Sequence, residues 1–259
     1  MSIAIVTGAS SGMGEEFCRR LDLLGLDCIW FVARRQDRLD QTASALKTPS
    51  RTFSVDLSDR EQLDSFSSLI SSEKPSIEYL VNCAGFGRFG MSWEIPAEVT
   101  RSMIDLNVTA LVTLTEACVP FMADGGHIIE LCSASAYIPL YDLNVYASTK
   151  AFVRHYCGGL RNELKGRNVS VTEVSPCWVK TDFIDKSVSD SSVPPKVFKG
   201  AVRKEDVVDQ ALKAAMKGKR RSVCGFSNKC IVSISTHFPN MAGKLWMRRF
   251  NRWRFCFLI

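Results

Sequence analysis

The stretch Ile3-Ala4-Ile5-Val6-Thr7-Gly8-Ala9-Ser10-Ser11-Gly12-Met13-Gly14 decides the fold of this chain. An apolar run of strand length ends in glycines spaced G-x-x-x-G-x-G, and a helical pattern over Gly12–Leu24 follows. A turn this tight needs residues without Cβ, partly for positive φ and partly so that backbone can touch a pyrophosphate. The helix start adds free N–H groups and the positive end of the helix dipole. A plain strand–helix turn could use the same glycines. The strand before, the helix after and the place at the head of an α/β pattern favour a phosphate cradle made by Gly8, Ser10, Ser11, Gly12, Met13 and Gly14.

Outward from that turn, short apolar runs alternate with longer helical patterns. Ile3–Val6, Cys28–Val32, Thr52–Val55, Tyr79–Asn82, His127–Cys132 and Ser170–Val174 read as buried strands. Gly12–Leu24, Arg38–Leu46, Arg60–Ile70, Glu98–Met122 and Val145–Leu164 read as helices, with a further helix near Lys204–Lys217 and a short strand near Ser222–Gly225. Such alternation predicts an α/β, Rossmann-like, doubly wound parallel sheet of about seven strands with helices on both faces. Continuous apolar strands fit, because a sheet covered on both sides has no wet face. The expected organisation is a catalytic domain over 1–227 and a basic, aromatic helical extension over 228–259. The stretch Asp182–Gly200, rich in Ser and carrying Pro194-Pro195, reads either as a lid over something apolar or as a mobile surface loop. Its scattered apolar residues are Phe183, Ile184, Val188, Val193, Val197 and Phe198.

Composition narrows the class. The chain has 259 residues, 46% hydrophobic and 23% charged, which excludes disorder, collagen-like repeats and a small disulfide scaffold. None of the ten cysteines forms a C-x-x-C pair, and most sit in apolar runs, as buried thiols in a reducing compartment do. His127, His155 and His237 have no second ligand near them in sequence, so no metal site is expected. The opening run is too short for a secretory signal and no run approaches a membrane span, so a cytoplasmic protein is expected. The net charge of +6 is uneven: residues 201–259 hold 13 Lys+Arg and 3 Asp+Glu, residues 1–200 hold 20 and 24.

The nucleotide discriminator is found by counting. A dinucleotide fold carries an acid about 20 residues beyond the glycines, at the end of the second strand, to hold the ribose 2′-OH. Here the sequence is Val32-Ala33-Arg34-Arg35. A guanidinium there pairs with a 2′-phosphate, so NADP(H) is expected over NAD(H), unless Arg34 and Arg35 are simply solvated. Asp37 is expected to cap the next helix.

Tyr146-Ala147-Ser148-Thr149-Lys150 places a phenol and an ammonium at i and i+4 on one helix face. A phenol titrates near ~10 and needs help to exchange protons at neutral pH, which a neighbouring Lys⁺ supplies. With this pair added to the glycine turn, the sequence resembles a short-chain dehydrogenase/reductase over roughly residues 2–181. The resemblance rests on Thr7–Gly14, Asp56-Leu57, Asn82-Cys83-Ala84-Gly85, Asn107, Ser133, Tyr146/Lys150 and Pro176–Thr181.

The resemblance implies a catalytic set of Asn107, Ser133, Tyr146 and Lys150. Ser133 lies 13 residues before Tyr146 and would hold the substrate oxygen, with Ser135 as the alternative. Asn107 would bind a water linking Lys150 to solvent; read by itself it is a polar residue on an amphipathic helix. Asp56 and Leu57 would meet the adenine, and Asn82, Ala84 and Gly85 the adenosine ribose. Pro176, Val179 and Thr181 would hold the nicotinamide end, and Lys150 its ribose. Two positions depart from the family pattern: Cys83 stands where a second Asn is usual, and Cys177 where Gly is usual. The implied reaction is reversible hydride transfer between NADPH and a ketone or secondary alcohol, with Tyr146 as general acid.

Phe86, Phe89, Tyr137, Trp178 and Phe183 favour a bulky hydrophobic substrate, of hydroxysteroid or 3-oxoacyl type. The tail Met241–Ile259 has five basic residues and no acidic one, with Trp246, Phe250, Trp253 and Phe257 on one helical arc. It reads either as an interfacial helix on a membrane or as a cover over the substrate cleft or a partner subunit. No nucleic-acid reading module accompanies the charge. The helices of Asn107 and Tyr146 would pair subunits into a homodimer or homotetramer, as in the family. The rival class is a non-catalytic NADP(H) sensor or membrane-surface regulator on the same fold.

Overall fold

The computed structural model describes residues 1–188 and 200–254, the side chains at 185, 186 and 249–254 excepted. Seven strands, β1 (Ser2–Thr7), β2 (Cys28–Ala33), β3 (Ser50–Ser54), β4 (Ser76–Asn82), β5 (Met122–Leu131), β6 (Ser170–Val174) and β7 (Arg221–Ser222), form one sheet. All pairs are parallel, in the order β3-β2-β1-β4-β5-β6-β7. The helices are α1 (Gly12–Leu21), α2 (Gln36–Ser44), α3 (Arg60–Glu73), α4 (Ala97–Ile104), α5 (Leu111–Cys118), α6 (Asn144–Glu163), α7 (Asp182–Ser187), α8 (Lys204–Met216), α9 (Phe226–His237) and α10 (Pro239–Arg254).

The period of two in β1 builds both halves of the core. Ile3 and Ile5 pack with Trp30, Phe66 and Leu114 on the layer of α3, α5 and α6. Ala4 and Val6 pack with Phe17, Leu39 and Val208 on the layer of α1, α2 and α8. Chain order reverses between β1 and β4, so the crevice at the C-terminal ends of these strands is the topological switch point where ligands of open α/β sheets sit.

Three local expectations change. Gln36–Ser44 begins before Asp37, so Asp37 does not cap α2; Arg35 holds the cap position, and Asp37 is an acid in the first turn, where the dipole favours it. The expected helix Glu98–Met122 is interrupted: α4 and α5 are joined by a π-helical turn at Asp105–Ala110. Pro120 lies in the 3₁₀ turn Val119–Phe121 that ends the helix, and Met122 passes to β5. The whole segment Ala97–Phe121, 25 residues with a window of mean hydropathy 1.3, is by length and composition long and apolar enough to cross a membrane. That corrects the expectation that no such segment exists. Here it flanks the sheet against α3, α6 and β4.

Candidate active site

The glycine turn is built by missing side chains. A Cβ on Gly14 would lie 2.2 Å from the Gly8 carbonyl oxygen, and one on Gly8, whose φ is +68°, would lie 3.0 Å from Ala84 N. Thr7 Oγ1 accepts hydrogen bonds from the N–H groups of Cys83 and Ala84, both at 3.0 Å, and so ties the turn to the end of β4. Ser11 stands at the N-cap of α1 without a side-chain cap bond, which leaves the first-turn N–H groups to an incoming acceptor.

A cleft of about 360 Å³ opens over this turn. Of the expected cofactor residues, Gly8, Ser10 through Gly14, Arg34, Arg35, Asp56, Leu57, Ala84, Gly85 and Thr181 line it. Arg35 donates to Ser10 Oγ and O at 3.3 and 3.4 Å, which draws a guanidinium onto the glycine turn. Arg34 Nη1 lies 3.7 Å from Asp56. Burial alone would raise the Asp56 carboxyl, but hydrogen bonds from Ser58 and the Arg34 charge hold it below its usual range. Uncapped N–H groups, glycines that leave no space for Cβ and two guanidiniums at the end of β2 together fit a dinucleotide with a 2′-phosphate. Asn82 is a correction: it is buried, and its amide donates to Thr115 and Glu130 at 2.8 and 3.0 Å, away from the cleft.

The phenol and the ammonium project from α6. Tyr146 is 8% exposed, and its hydroxyl lies beside the Ser133 side chain. Burial drives the phenol well above its ordinary range, and the Ser133 side chain acts against that. Lys150 Nζ lies 5.9 Å from the Tyr146 ring centroid and donates to the Leu131 carbonyl at 2.7 Å. Burial lowers its pKa. Ser133 opposes that rise, and Lys150 stands one turn along the same helix with its ammonium held on the backbone of β5.

Asn107 sits in the π turn, fully buried. Its Oδ1 accepts from Phe86 N at 3.0 Å, and its Nδ2 donates to Phe86 O at 2.9 Å and to Thr149 Oγ1 at 3.1 Å. It thus clips the loop after β4 onto α6, one residue before Lys150. π turns recur where a functional group is inserted into a helix. Gly85 lies between the two groups: a Cβ there would be 2.8 Å from Asn107 Oδ1 and 3.5 Å from Lys150 Nζ.

Behind Lys150 stands a residue the motif reading missed. Glu130 on β5 is fully buried and burial pushes its carboxyl up to about 7, against the hydrogen bonds from Asn82 and Thr115 and the charge of Lys150. Its Oε2 has no hydrogen-bond partner among the described residues. The sequence signal was there: a carboxylate inside the apolar run Ile128–Leu131 of a strand with no wet face.

A second cavity, about 400 Å³, adjoins the cleft through shared walls at Met13, Cys83, Gly85, Thr181 and Phe183. Ser133, Tyr146 and Lys150 line it, as do Pro176, Cys177 and Val179. Ser135 Oγ is buried in its wall without a hydrogen-bond partner among the described residues. Ile138, Leu140, Leu143, Trp178, Ile184 and Trp246 make the rest largely apolar. Of the aromatics expected here, Trp178 and Phe183 line it, Phe89 packs on Trp178 at 6.2 Å, and Phe86 lines the neighbouring cleft. Tyr137 is a correction: it hydrogen-bonds Glu173 and lies beneath the guanidiniums of Arg154 and Arg221, facing away. Phe183 of α7 meets the Tyr146 ring at 5.6 Å, while Val193, Val197 and Phe198 lie outside the described residues. Trp246 of α10 turns inward, 6.2 Å from Trp178, and donates to the Tyr141 carbonyl at 3.3 Å. The side chains of Phe250 and Trp253, and all of Phe257, lie outside the described residues.

Comparison with known proteins agrees with this arrangement. The family model of the short chain dehydrogenases matches residues 2–192. The chain belongs to the short-chain dehydrogenase family. It is 36% identical over 178 residues to the NADP-dependent 3-hydroxy acid dehydrogenase YdfG of Escherichia coli (strain K12), covering 67% of this chain and 71% of that protein. It is 30% identical over 181 residues to the serine 3-dehydrogenase of Agrobacterium fabrum, covering 69% and 72%. A short-chain dehydrogenase from Sphingobium yanoikuyae, solved in complex with NADPH, superposes with a TM-score of 0.77 at 27% identity, covering 86% of this chain and 87% of that one.

Proposed function

We propose that the protein is an NADP(H)-dependent oxidoreductase that interconverts a ketone and a secondary alcohol on a hydrophobic substrate. The observation that carries this is the Ser133–Tyr146 hydroxyl pair in an apolar cavity that shares a wall with the cleft over the glycine turn. Bound NADPH would supply the hydride. Gly8 to Gly14 and the α1 N-terminus would hold its phosphates, and Arg34 and Arg35 its 2′-phosphate. Tyr146 would give its proton to the substrate oxygen, and Ser133 would fix that oxygen. Lys150, buried and anchored on Leu131, would supply positive charge beneath the phenol and refill its proton. Asn107 holds α6 and the β4 loop in register for this.

The substrate class follows from the walls. Among the described residues lining the cavity, Lys150 is the one cation, and it is engaged by a backbone carbonyl. A carboxylate substrate would have little to bind, whereas a sterol-like ketone or a 3-oxoacyl chain would bury its skeleton against Leu140, Trp178 and Trp246. A non-catalytic NADP(H) sensor is the second reading. A sensor has no need of a buried acid paired with a hydroxyl. A homodimer or homotetramer through the segment Ala97–Phe121 and α6 is supported by the exposed Ile104 and Phe152 and by the apolar window of that segment, which is only 33% buried. A cytoplasmic setting is supported by six buried thiols held singly.

The test is NADPH absorbance followed against steroid, acyl and small ketones, beside 3-hydroxy acids, with NADH in parallel. Turnover is expected with bulky ketones and NADPH. Turnover with hydroxy acids alone would move the substrate class, and NADPH binding without any turnover would favour the sensor.

A further inference from the structure

From Gln210 to the last residue the sequence holds eleven Lys and Arg and no Asp or Glu. Within this region α9 packs on the domain through Asn228, Val232 and Ser235, buried at i, i+4 and i+7, and lines the cavity over Tyr146 with Ser227 and Ile231. The opposite side is bare and apolar: Phe226 is 84% exposed, Ile234 53% and Phe238 59%. At about 100° per residue Phe226 and Ile234 lie within about 80° of each other, and Phe238 follows at the C-cap of α9. The remaining side, Lys229, Ser233, Thr236 and His237, faces a hollow of about 420 Å³ walled by Lys213, Lys217, Lys219 and Arg221. No carboxylate lines that hollow among the described residues. The acids of α8 lie towards its other end, where Asp206 is paired with Arg203 and Asp209 with Arg20.

A partner for this surface must be apolar and anionic at once. A second copy meeting it about a twofold axis would set the cationic hollow against itself, which like charges oppose. We propose that α9, with the hollow between α8 and α9, is a docking surface for an anionic lipid bilayer. Phe226, Ile234 and Phe238 enter the acyl boundary, and Lys213, Lys217 and Lys229 meet the headgroup phosphates. Sequence periodicity offers the arc of Trp246, one helix later, either as a membrane contact or as a cover over the cleft or a partner subunit. Trp246 faces the cavity, so the contact moves to α9. The redox reading is independent of this surface and its failure would leave the proposal standing.

The test is sedimentation of the full chain with vesicles of phosphatidylcholine, with and without phosphatidylglycerol. Binding is expected only with phosphatidylglycerol and is released by roughly 0.5 M salt, as screening requires. Lys213→Gln with Lys217→Gln and Lys229→Gln should weaken it about 100-fold, from roughly fivefold per cation at the surface. Phe226→Ser with Ile234→Ser and Phe238→Ser should weaken it about tenfold or more, with melting temperature and gel-filtration size unchanged. Wild-type binding that ignores phosphatidylglycerol, or is absent, overturns the proposal. So does a serine variant that changes oligomer size while still binding vesicles, which would make that apolar side an interface between copies.

Discussion

The cleft over the glycine turn and the cavity over Tyr146 share five wall residues but obey opposite rules. The glycine turn of the cleft is made of backbone and depends on atoms that are absent: a methyl on Gly14 would collide with the turn itself. The cavity is made of side chains drawn from the loop after β5, the segment after β6, α7, α9 and α10. The turn fails when something is added and the cavity when something is removed. The contrast also separates binding of the dinucleotide from chemistry on the substrate, and each substitution below tests whether that separation holds.

Tyr146→Phe attacks it hardest. Removing a positioned acid should lower kcat about 10³-fold, while NADPH affinity, read by nicotinamide fluorescence, stays the same. A parallel loss of both would mean that the phenol also builds the cleft. Next in size is Glu130→Gln, in the core beneath β4 and β5 beside Asn82 and Thr115. With its carboxyl raised from 4.5 to about 7 in the fold, wild-type stability is highest below pH 4.5 and is lost as pH rises through 7. The full span is about 3 kcal/mol. Denaturant unfolding across this range should show a falling curve for wild type and a flatter one for the variant. Parallel curves would show that Glu130 ionises in the fold as freely as in water.

Arg34→Ser with Arg35→Ser bears on the cleft alone. Losing charge-assisted bonds to a 2′-phosphate should cut the preference for NADPH over NADH about 100-fold, with kcat on saturating cofactor unchanged. An unaltered preference would reduce Arg34 to its exposed contact with Asp56.

The same contrast explains what was legible in the sequence. Glycine spacing, the end of β2 and the Tyr146/Lys150 helix are local patterns, so the sheet, the cleft and the phenol could be read from neighbouring residues. The cavity walls come from residues far apart in sequence, and direction matters there as much as identity. Tyr137 is aromatic and near in sequence but turns to Glu173. Asn82 sits in a cofactor motif but turns to Glu130. Asn107 showed as a polar break in an apolar helix, yet the π turn that accommodates it has no signature of its own. Asp37 lies two residues past the cap position, because capping depends on where the helix begins and not on composition.

Trp246→Ala tests the cavity by subtraction. The indole belongs to α10, beyond the part of the chain matched by the family model, and reaches back to stack near Trp178 and bond Tyr141. Removing it takes away one wall but no group that touches the phenol or the glycine turn. A bulky ketone should therefore lose about tenfold in kcat/KM, mostly through KM, as expected when apolar wall contact disappears. Small ketones, which do not reach that wall, should lose less, and the NADPH dissociation constant should not move. Trp246→Phe keeps a ring against Trp178 while giving up the bond to Tyr141, so it should recover most of the loss. If the alanine variant instead lowered kcat for every ketone alike, the tail would be acting through the placement of Tyr146, and the cavity could not be treated as walls that are independent of its chemistry.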